Sequence, residues 1–175
     1  MVNFISSAVF GISMILLYTA STVYHYVTGK AETIRRFRKL DHSMIFVLIA
    51  GSYTPFSLAY LPQREALIFL AVIWGIALGG ITMKLFWVNA PNWLSALFYL
   101  AMGWAIMLKR HIFAFMEPGC FGLLLAGGIA YTLGALIYAL KKPNWFKEFG
   151  FHEIFHLFIM LGSALHAIAV VVFIL

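Results

Sequence analysis

Residues 66–83 read ALIFLAVIWGIALGGITM, eighteen consecutive positions without a charged side chain. A helix needs about 20 predominantly apolar residues to cross the hydrocarbon core of a bilayer. The stretch follows the polar segment Pro62-Gln-Arg-Glu65 and is closed by Asn89-Ala-Pro-Asn92, where proline and asparagine end a helix. These boundaries predict a membrane-spanning helix from Ala66 to Trp87.

Similar apolar runs occupy most of the remaining sequence. The six predicted spans are Val2 to Val27, His42 to Leu61, Ala66 to Trp87, Trp93 to about Leu108, Gly119 to Leu140 and Phe151 to Leu175. The connecting loops are short, and the sequence contains no linker, low-complexity tract or convincing internal repeat. We therefore expect an all-α fold, a polytopic bundle of six transmembrane helices, forming one domain over residues 1–175.

The composition excludes a water-soluble domain. Hydrophobic residues make up 63% of the chain and charged residues 10%, whereas soluble domains carry roughly 25% charged residues. The net charge of +6 does not predict nucleic-acid binding, because the basic residues lie in short gaps between apolar runs. Cys120 is the single cysteine, so no intramolecular disulfide is possible. The expected partner is the lipid bilayer.

Lysine and arginine are distributed unequally between the two sides of this predicted bundle. Nine flank the odd-numbered loops and three flank the even-numbered ones. The nine are Lys30, Arg35, Arg36, Arg38, Lys39, Lys84, Lys141, Lys142 and Lys147, and the three are Arg64, Lys109 and Arg110. Since positive charge favours the cytoplasmic side, the odd loops are expected in the cytoplasm and both termini outside. Trp87, Trp93 and Trp145 fall near span ends, as interfacial tryptophans do.

Histidine supplies most of the ionisable groups near the spans, where such groups usually mark function. His152 and His156 are four apart and share one helical face. His25 ends the first span, and Asp41 precedes the second. The predicted topology places all four at one depth near the cytoplasmic face. Three neutral imidazoles with an open position for water are typical of catalytic zinc sites, so we predict that His25, His152 and His156 bind Zn²⁺.

Several polar residues have two interpretations. Asp41 is placed to orient a ligand or hold the zinc-bound water, but it is also a reasonable helix N-cap. Ser21, one turn deeper than His25, is also placed to orient a ligand or bind the zinc-bound water. Taken alone, His25 can be interpreted as a histidine at the membrane interface. With Glu153, the histidine pair forms the pattern His-Glu-x-x-His. In metalloproteases the glutamate of this pattern is a general base, but a glutamate at this position can also occur by chance. We interpret His166, which lies too deep for the same metal, as bonded to another helix.

The order of these motifs resembles the hemolysin III family. The resemblance rests on Ser21-Thr-Val-Tyr-His25, Phe37-Arg-Lys-Leu-Asp41-His42, Ala50-Gly-Ser-Tyr-Thr-Pro55-Phe, His152-Glu-Ile-Phe-His156 and Gly162-Ser-Ala-Leu-His166. It runs over nearly the whole chain and extends to the progestin and adiponectin receptor group and, more distantly, to alkaline ceramidases. It implies seven helices with a cytoplasmic N-terminus, so the six predicted here match the family's second to seventh and the chain looks shortened or like a fragment.

The resemblance also implies a site. In the family, zinc is held by three histidines near the cytoplasmic face, which correspond by motif to His25, His152 and His156. The aspartate that interacts with the zinc-bound water corresponds to Asp41, and the motif serine to Ser21. Three functions follow as expectations: a zinc-dependent, ceramidase-like hydrolase of a lipid amide or ester, acting in membrane homeostasis; a pore-forming hemolysin that causes cytolysis; or a non-catalytic, receptor-like regulator with structural zinc.

Overall fold

A computed structural model describes residues 2–144 and 149–175, and its regular elements are all helical. They are α1 (Val2–Tyr26), α2 (Ala31–Tyr60), α3 (Gln63–Phe86), α4 (Asn92–Gly103), a 3-10 helix (Ala105–Ala114), α5 (Pro118–Leu140) and α6 (Phe151–Phe173). This confirms the predicted all-α membrane fold. Trp145 and Lys147, counted above as an interfacial tryptophan and a topology charge, lie outside the described residues.

Five of the described helices are long and apolar enough to cross a membrane, namely α1, α2, α3, α5 and α6. The predicted fourth span, Trp93 to about Leu108, differs because its twelve-residue α4 is about 18 Å long, short of a hydrocarbon core of about 30 Å. A tighter 3-10 helix follows α4 and is interrupted by non-helical backbone at Lys109. Glycine, a poor helix former, ends α4 at Gly103.

The chain divides into two compact units, an N-terminal unit (Met1–Ala90) and a C-terminal unit (Pro91–Leu175). In the N-terminal unit, α2 packs against both α1 and α3. Gly51 of α2 faces the Ser13 side chain, and Gly80 of α3 faces the ring of Phe46, each at a distance that leaves no room for a Cβ atom. Small residues thus let these helix backbones approach closely, as membrane helix packing favours.

In the C-terminal unit, α5 packs against α6 along much of its length, and α4 packs against α5. Gly127 of α5 lies against the ring of His166, and Gly134 lies against Phe158. These glycines therefore let α5 approach α6 closely. Gly75 and Gly79 of α3, by contrast, have no described atom within 4 Å of the position a Cβ would take.

The second helix begins earlier than predicted. α2 begins at Ala31, eleven residues before His42, and runs for 30 residues to Tyr60. Its first turns carry the basic residues that were assigned to a loop, and the carboxylate of Glu32 accepts a bond from Arg36 at 3.2 Å, an i,i+4 pair that supports a helix. The loop between α1 and α2 is therefore very short, and Gly29 adopts φ +131° within it.

Candidate metal centre

The N-terminal unit contributes Ser21, His25 and Asp41 to the predicted site. The short connection folds α2 back along α1, which brings the last turns of α1 beside Asp41. Ser21 and Asp41 are both buried, and the Ser21 hydroxyl donates a hydrogen bond to the Asp41 carboxylate. His25 lies close enough to interact electrostatically with that carboxylate. The structure thus brings together His25 and Asp41, which the sequence placed at one depth, and Ser21, which it placed one turn deeper.

The N-cap interpretation of Asp41 is wrong. Asp41 lies ten residues into α2, and the residue preceding the helix is Lys30. Because backbone amides inside a helix already bond to carbonyls four residues earlier, the Asp41 carboxylate has no capping task. A carboxylate buried without such a task requires compensation from hydrogen bonds or positive charge, which Ser21, His25 and Arg38 supply.

The C-terminal unit contributes His152 and His156 on the first turns of α6. Their Nε2 atoms are 3.2 Å apart, their ring centroids are 4.7 Å apart, and the ring planes are perpendicular. Both side chains are half-buried. The i,i+4 spacing on a helix accounts for the approach, since residues four apart lie one above the other on one face.

The pair of imidazoles fits a zinc ion. Two ligand atoms about 2.0–2.1 Å from a tetrahedral zinc ion lie about 3.3–3.4 Å from one another, close to the separation of the two Nε2 atoms. The same 3.2 Å also suits a hydrogen bond between neutral imidazoles, one donating and one accepting. Each of these two histidines offers one ring nitrogen to such an ion.

Glu153, between the two histidines in the His-Glu-x-x-His pattern, has a structural task. Its Oε2 accepts a hydrogen bond from the backbone N–H of Gly150 at 2.9 Å. Gly150 is the residue before α6, so Glu153 closes the helix start in the manner of a capping box. The side chain is exposed and directed toward the helix terminus. This bond explains the residue without a role as general base.

His166 is bonded to a neighbouring helix, as interpreted from the sequence. Its Nε2 lies 3.2 Å from the backbone carbonyl of Leu124 on α5. One turn earlier on α6, Ser163 Oγ lies 2.8 Å from the hydroxyl of Tyr131, whose ring also packs edge-on against His166. The polar stripe of α6 is therefore used in packing against α5. Tyr131 was not singled out by the sequence, since a tyrosine within an apolar run gives no sign of its partner.

The chain matches, over residues 2–167, the family described as Haemolysin-III related. It is 40% identical over 163 residues to a Bacillus subtilis (strain 168) protein named Hemolysin-3 homolog. The matched region covers 93% of this chain and 74% of the relative. It is also 40% identical over 173 residues to Hemolysin-3 of Bacillus cereus, covering 98% of this chain and 76% of the relative.

More distant relatives are animal proteins. The human Monocyte to macrophage differentiation factor is 28% identical over 178 residues, covering 95% of this chain and 69% of the relative. The Drosophila melanogaster Adiponectin receptor protein is 29% identical over 176 residues, covering 90% of this chain and 40% of the relative. No solved structure matches the chain significantly.

Proposed function

Because this chain belongs to the hemolysin III family of multi-pass membrane proteins, we propose that it is a zinc-dependent hydrolase that cleaves a lipid amide or ester. The observation that carries the proposal is the His152–His156 pair, whose Nε2 atoms face one another at 3.2 Å, close to the spacing of two zinc ligands. Half-buried imidazoles at the start of a spanning helix are costly to place in a membrane and indicate a function.

His25 is proposed as the third ligand. It stands at the end of α1, whose last turn meets the buried Asp41, and it offers a ring nitrogen of the kind that catalytic zinc sites use. Three histidines leave a fourth position for water, which distinguishes a catalytic site from a closed structural one. The electrostatic interaction between His25 and Asp41 would place a carboxylate beside that position.

Bound zinc would supply a Lewis acid that polarises the carbonyl and makes water acidic enough to ionise near neutral pH. The protein's own residues then perform the proton transfers. Asp41 is the proposed base, which accepts a proton from water and returns it to the leaving group. Ser21 is a positioning residue, because its hydrogen bond fixes the orientation of the Asp41 carboxylate.

The proposed location of this chemistry is the cytoplasmic face of the cell membrane. The excess of lysine and arginine on the odd-numbered loops supports it, because His25 and Asp41 flank the first of those loops. Large apolar side chains on the spanning helices are exposed, among them Ile15, Val72 and Val171. A lipid substrate can therefore approach from the bilayer, with its acyl chains remaining in hydrocarbon.

The Bacillus relatives are named Hemolysin-3, so a cytolytic pore is the competing proposal. A conducting pore needs polar groups along its wall. Ser163 and His166, the polar stripe noted on α6, are bonded to Tyr131 and Leu124 of α5, so they give the pore no support. Conductance in planar bilayers that persists with a chelator would favour the pore over the hydrolase.

A regulator with structural zinc would use the same zinc ligands as the hydrolase. Only a measurement of lipid turnover distinguishes the two functions. Lipidomics of membranes that express wild type or a catalytically impaired variant measures that turnover directly. Zinc bound stoichiometrically, without zinc-dependent cleavage of any lipid, would favour the regulator.

The experiment that tests the zinc site is metal analysis of the purified protein. Wild type is expected to contain one zinc per chain, and His156→Ala is expected to lose it, because one of three protein ligands is removed. His111→Ala is the matched control, since His111 lies in the 3-10 helix and has no assigned role. Stoichiometric zinc in both wild type and His156→Ala, or zinc in neither, contradicts the proposed site.

A further inference from the structure

Arg38 interacts both with the proposed base and with the segment that follows α3. On α2 it precedes Asp41 by three residues, so the two side chains lie on one face of the helix. Its Nη1 donates a hydrogen bond at 3.1 Å to Oδ1 of Asn89, three residues beyond the end of α3. The guanidinium also interacts electrostatically with the Asp41 carboxylate. Asn89 and Asp41 therefore attract the same cation.

The Arg38 guanidinium is bonded to the amide and not to the carboxylate. An arginine and an aspartate three residues apart on a helix can reach one another, and a guanidinium binds a carboxylate through two parallel N–H bonds. In the part of the chain that the structure describes, however, Arg38 and Asp41 form no ion pair, and the ion pair on α2 joins Glu32 and Arg36. Arg38 thus bonds to a neutral acceptor although a charged acceptor is near.

The segment that carries Asn89 is held in place by its neighbours. Val88 and Ala90 are 1% and 5% exposed, and the Ala90 N–H donates to the Trp87 carbonyl at 3.3 Å, which closes a turn. The Asn89 side chain itself is exposed. Because burial of both neighbours fixes the backbone at Asn89, ordering its short side chain costs little further entropy. Asn89 therefore presents a fixed acceptor to Arg38.

The Asp41 carboxylate needs a free oxygen if it is to act on water. An ionised carboxylate only accepts hydrogen bonds, and a base must present an oxygen to the proton that it takes. The Ser21 hydroxyl already donates to this carboxylate. A two-pronged bond from Arg38 would engage both oxygens and withdraw them from water. In its observed position, the guanidinium compensates the charge of the buried carboxylate without forming that bond.

On the premise of the proposed zinc-dependent hydrolase, we propose that Asn89 is a positioning residue. By binding Arg38, it holds the guanidinium away from Asp41, so that the carboxylate keeps an oxygen for the reacting water. Asn89 contacts neither substrate nor metal in this role and acts through Arg38 alone. Release of the cation is then more harmful to hydrolysis than its removal, because only a released cation can close on Asp41.

A double-mutant cycle in metal-free protein tests this restraint without depending on turnover. Tm values in detergent with a chelator are measured for wild type, Arg38→Gln, Asp41→Asn and the double variant, and for the same four in an Asn89→Ala background. The departure from additivity reports the interaction between Arg38 and Asp41. We expect it to be larger in the Asn89→Ala background by about 2 °C or more, since the released guanidinium gains an ion pair.

Asn89→Asp and Asn92→Ala are the matched controls. A carboxylate at position 89 binds a guanidinium more strongly than an amide does, so Asn89→Asp should keep the coupling at or below its wild-type value. The Asn92 Nδ2 donates to the carbonyl of Tyr138 at 3.4 Å, so Asn92→Ala should leave the coupling between Arg38 and Asp41 unchanged. Equal coupling in the wild-type and Asn89→Ala backgrounds, or an equal rise in Asn92→Ala, overturns the restraint.

Hydrolysis is the second readout, measured in vesicles that contain phosphatidylglycerol and ceramide, with zinc content determined for each variant. Asn89→Ala should keep its zinc and lower the rate about tenfold or more, as part of the 10²–10⁴-fold contribution usual for a positioned base. Arg38→Gln should lower the rate less. Adding Arg38→Gln to Asn89→Ala should restore the rate to that of Arg38→Gln alone. A wild-type rate in Asn89→Ala, or a loss that Arg38→Gln does not relieve, overturns the role of Asn89.

The proposed hydrolase fails separately from the role of Asn89. If wild type binds no zinc and cleaves neither lipid while the coupling still rises in Asn89→Ala, the restraint on Arg38 stands and the hydrolase does not. If wild type cleaves lipid with zinc bound and the coupling is unchanged in Asn89→Ala, the hydrolase stands and Asn89 has no part in it.

Discussion

The Asp41 carboxylate is the residue whose replacement best separates metal binding from catalysis. It is buried, it accepts a hydrogen bond from Ser21, and it is not one of the three proposed ligands. We predict that Asp41→Asn keeps its zinc, because an amide oxygen still accepts the bond from Ser21. Hydrolysis should fall about 10²–10⁴-fold, the contribution usual for a positioned base, as measured by lipid release in reconstituted vesicles.

Glu32→Gln is the matched control for that replacement, since Glu32 is a carboxylate on the same helix but is exposed and paired with Arg36. Its hydrolysis rate should equal that of wild type. An unchanged rate in Asp41→Asn, with zinc retained, would remove Asp41 from the mechanism.

Glu153 provides a second prediction, in which the structure and the His-Glu-x-x-His pattern disagree. The Glu153 carboxylate accepts a bond from the Gly150 N–H, and glutamine also serves at this capping position. Glu153→Gln should therefore preserve the start of α6 and lower the rate of hydrolysis less than about tenfold. Glu153→Ala should lower stability by about 0.5–2 kcal/mol, the usual effect of losing a cap, measured by thermal unfolding. A loss of hydrolysis in Glu153→Gln comparable to that in Asp41→Asn would instead identify a general base.

The residue scale also shows what spacing along the sequence can and cannot predict. His25 and Asp41 could be placed together because the first span ends and the second begins on the same side of the membrane, which fixes their approximate depth. The bonds of Arg38 to Asn89 and of Ser163 to Tyr131 join residues 51 and 32 positions apart. Such pairs depend on the rotation of each helix about its axis, which hydropathy does not report. Lys84, which follows a long apolar run, is 0% exposed in the structure, whereas its position in the sequence suggested only a topology charge.

At the scale of elements, two adjacent glycines of α3 test the packing of α2 against α3. A Cβ on Gly80 would overlap the Phe46 ring, whereas a Cβ on Gly79 would have no described atom of another residue within 4 Å. We predict that Gly80→Ala lowers the free energy of unfolding by about 1–3 kcal/mol, the usual effect of overpacking. Gly79→Ala should change it by less than about 1 kcal/mol, the difference in helix propensity.

Thermal unfolding in detergent, with the two variants purified side by side, measures this difference. Equal stability of Gly79→Ala and Gly80→Ala would show that Phe46 does not pack against Gly80. The comparison needs no assumption about function, because it measures stability alone.

Four of the spans could be predicted closely from hydropathy, because lipid-facing helices need apolar side chains along their whole length. The predicted Val2 to Val27 and the observed Val2–Tyr26 differ by one residue, and Gly119 to Leu140 and Pro118–Leu140 also differ by one. The start of α2 could not be found in this way, since arginine and lysine favour helix in water but lower hydropathy. The fourth span is less regular than predicted, because an apolar composition does not ensure continuous α-helical backbone, and the chain turns into a 3-10 helix after Gly103.

At the scale of the whole molecule, the direction in which the chain crosses the membrane decides which compartment the proposed site faces. Nine of twelve lysines and arginines flank the odd-numbered loops, and such an excess in short loops favours the cytoplasmic side. The short connection between α1 and α2 and the connection between α2 and α3 should therefore lie on opposite sides. Because one helix, α2, separates them, a single pair of labels determines its orientation.

The last prediction tests this orientation with Thr28→Cys and Gln63→Cys, two exposed positions on either side of α2, in a Cys120→Ser background. Cys120 is the single native cysteine and is 0% exposed, so its removal leaves each new thiol as the sole target. In intact cells, a membrane-impermeant maleimide should label Gln63→Cys fully and Thr28→Cys only after permeabilisation. The Cys120→Ser parent should remain unlabelled. The reverse pattern would place His25 and Asp41 at the outer face, where a hydrolase would act on lipids of the other leaflet.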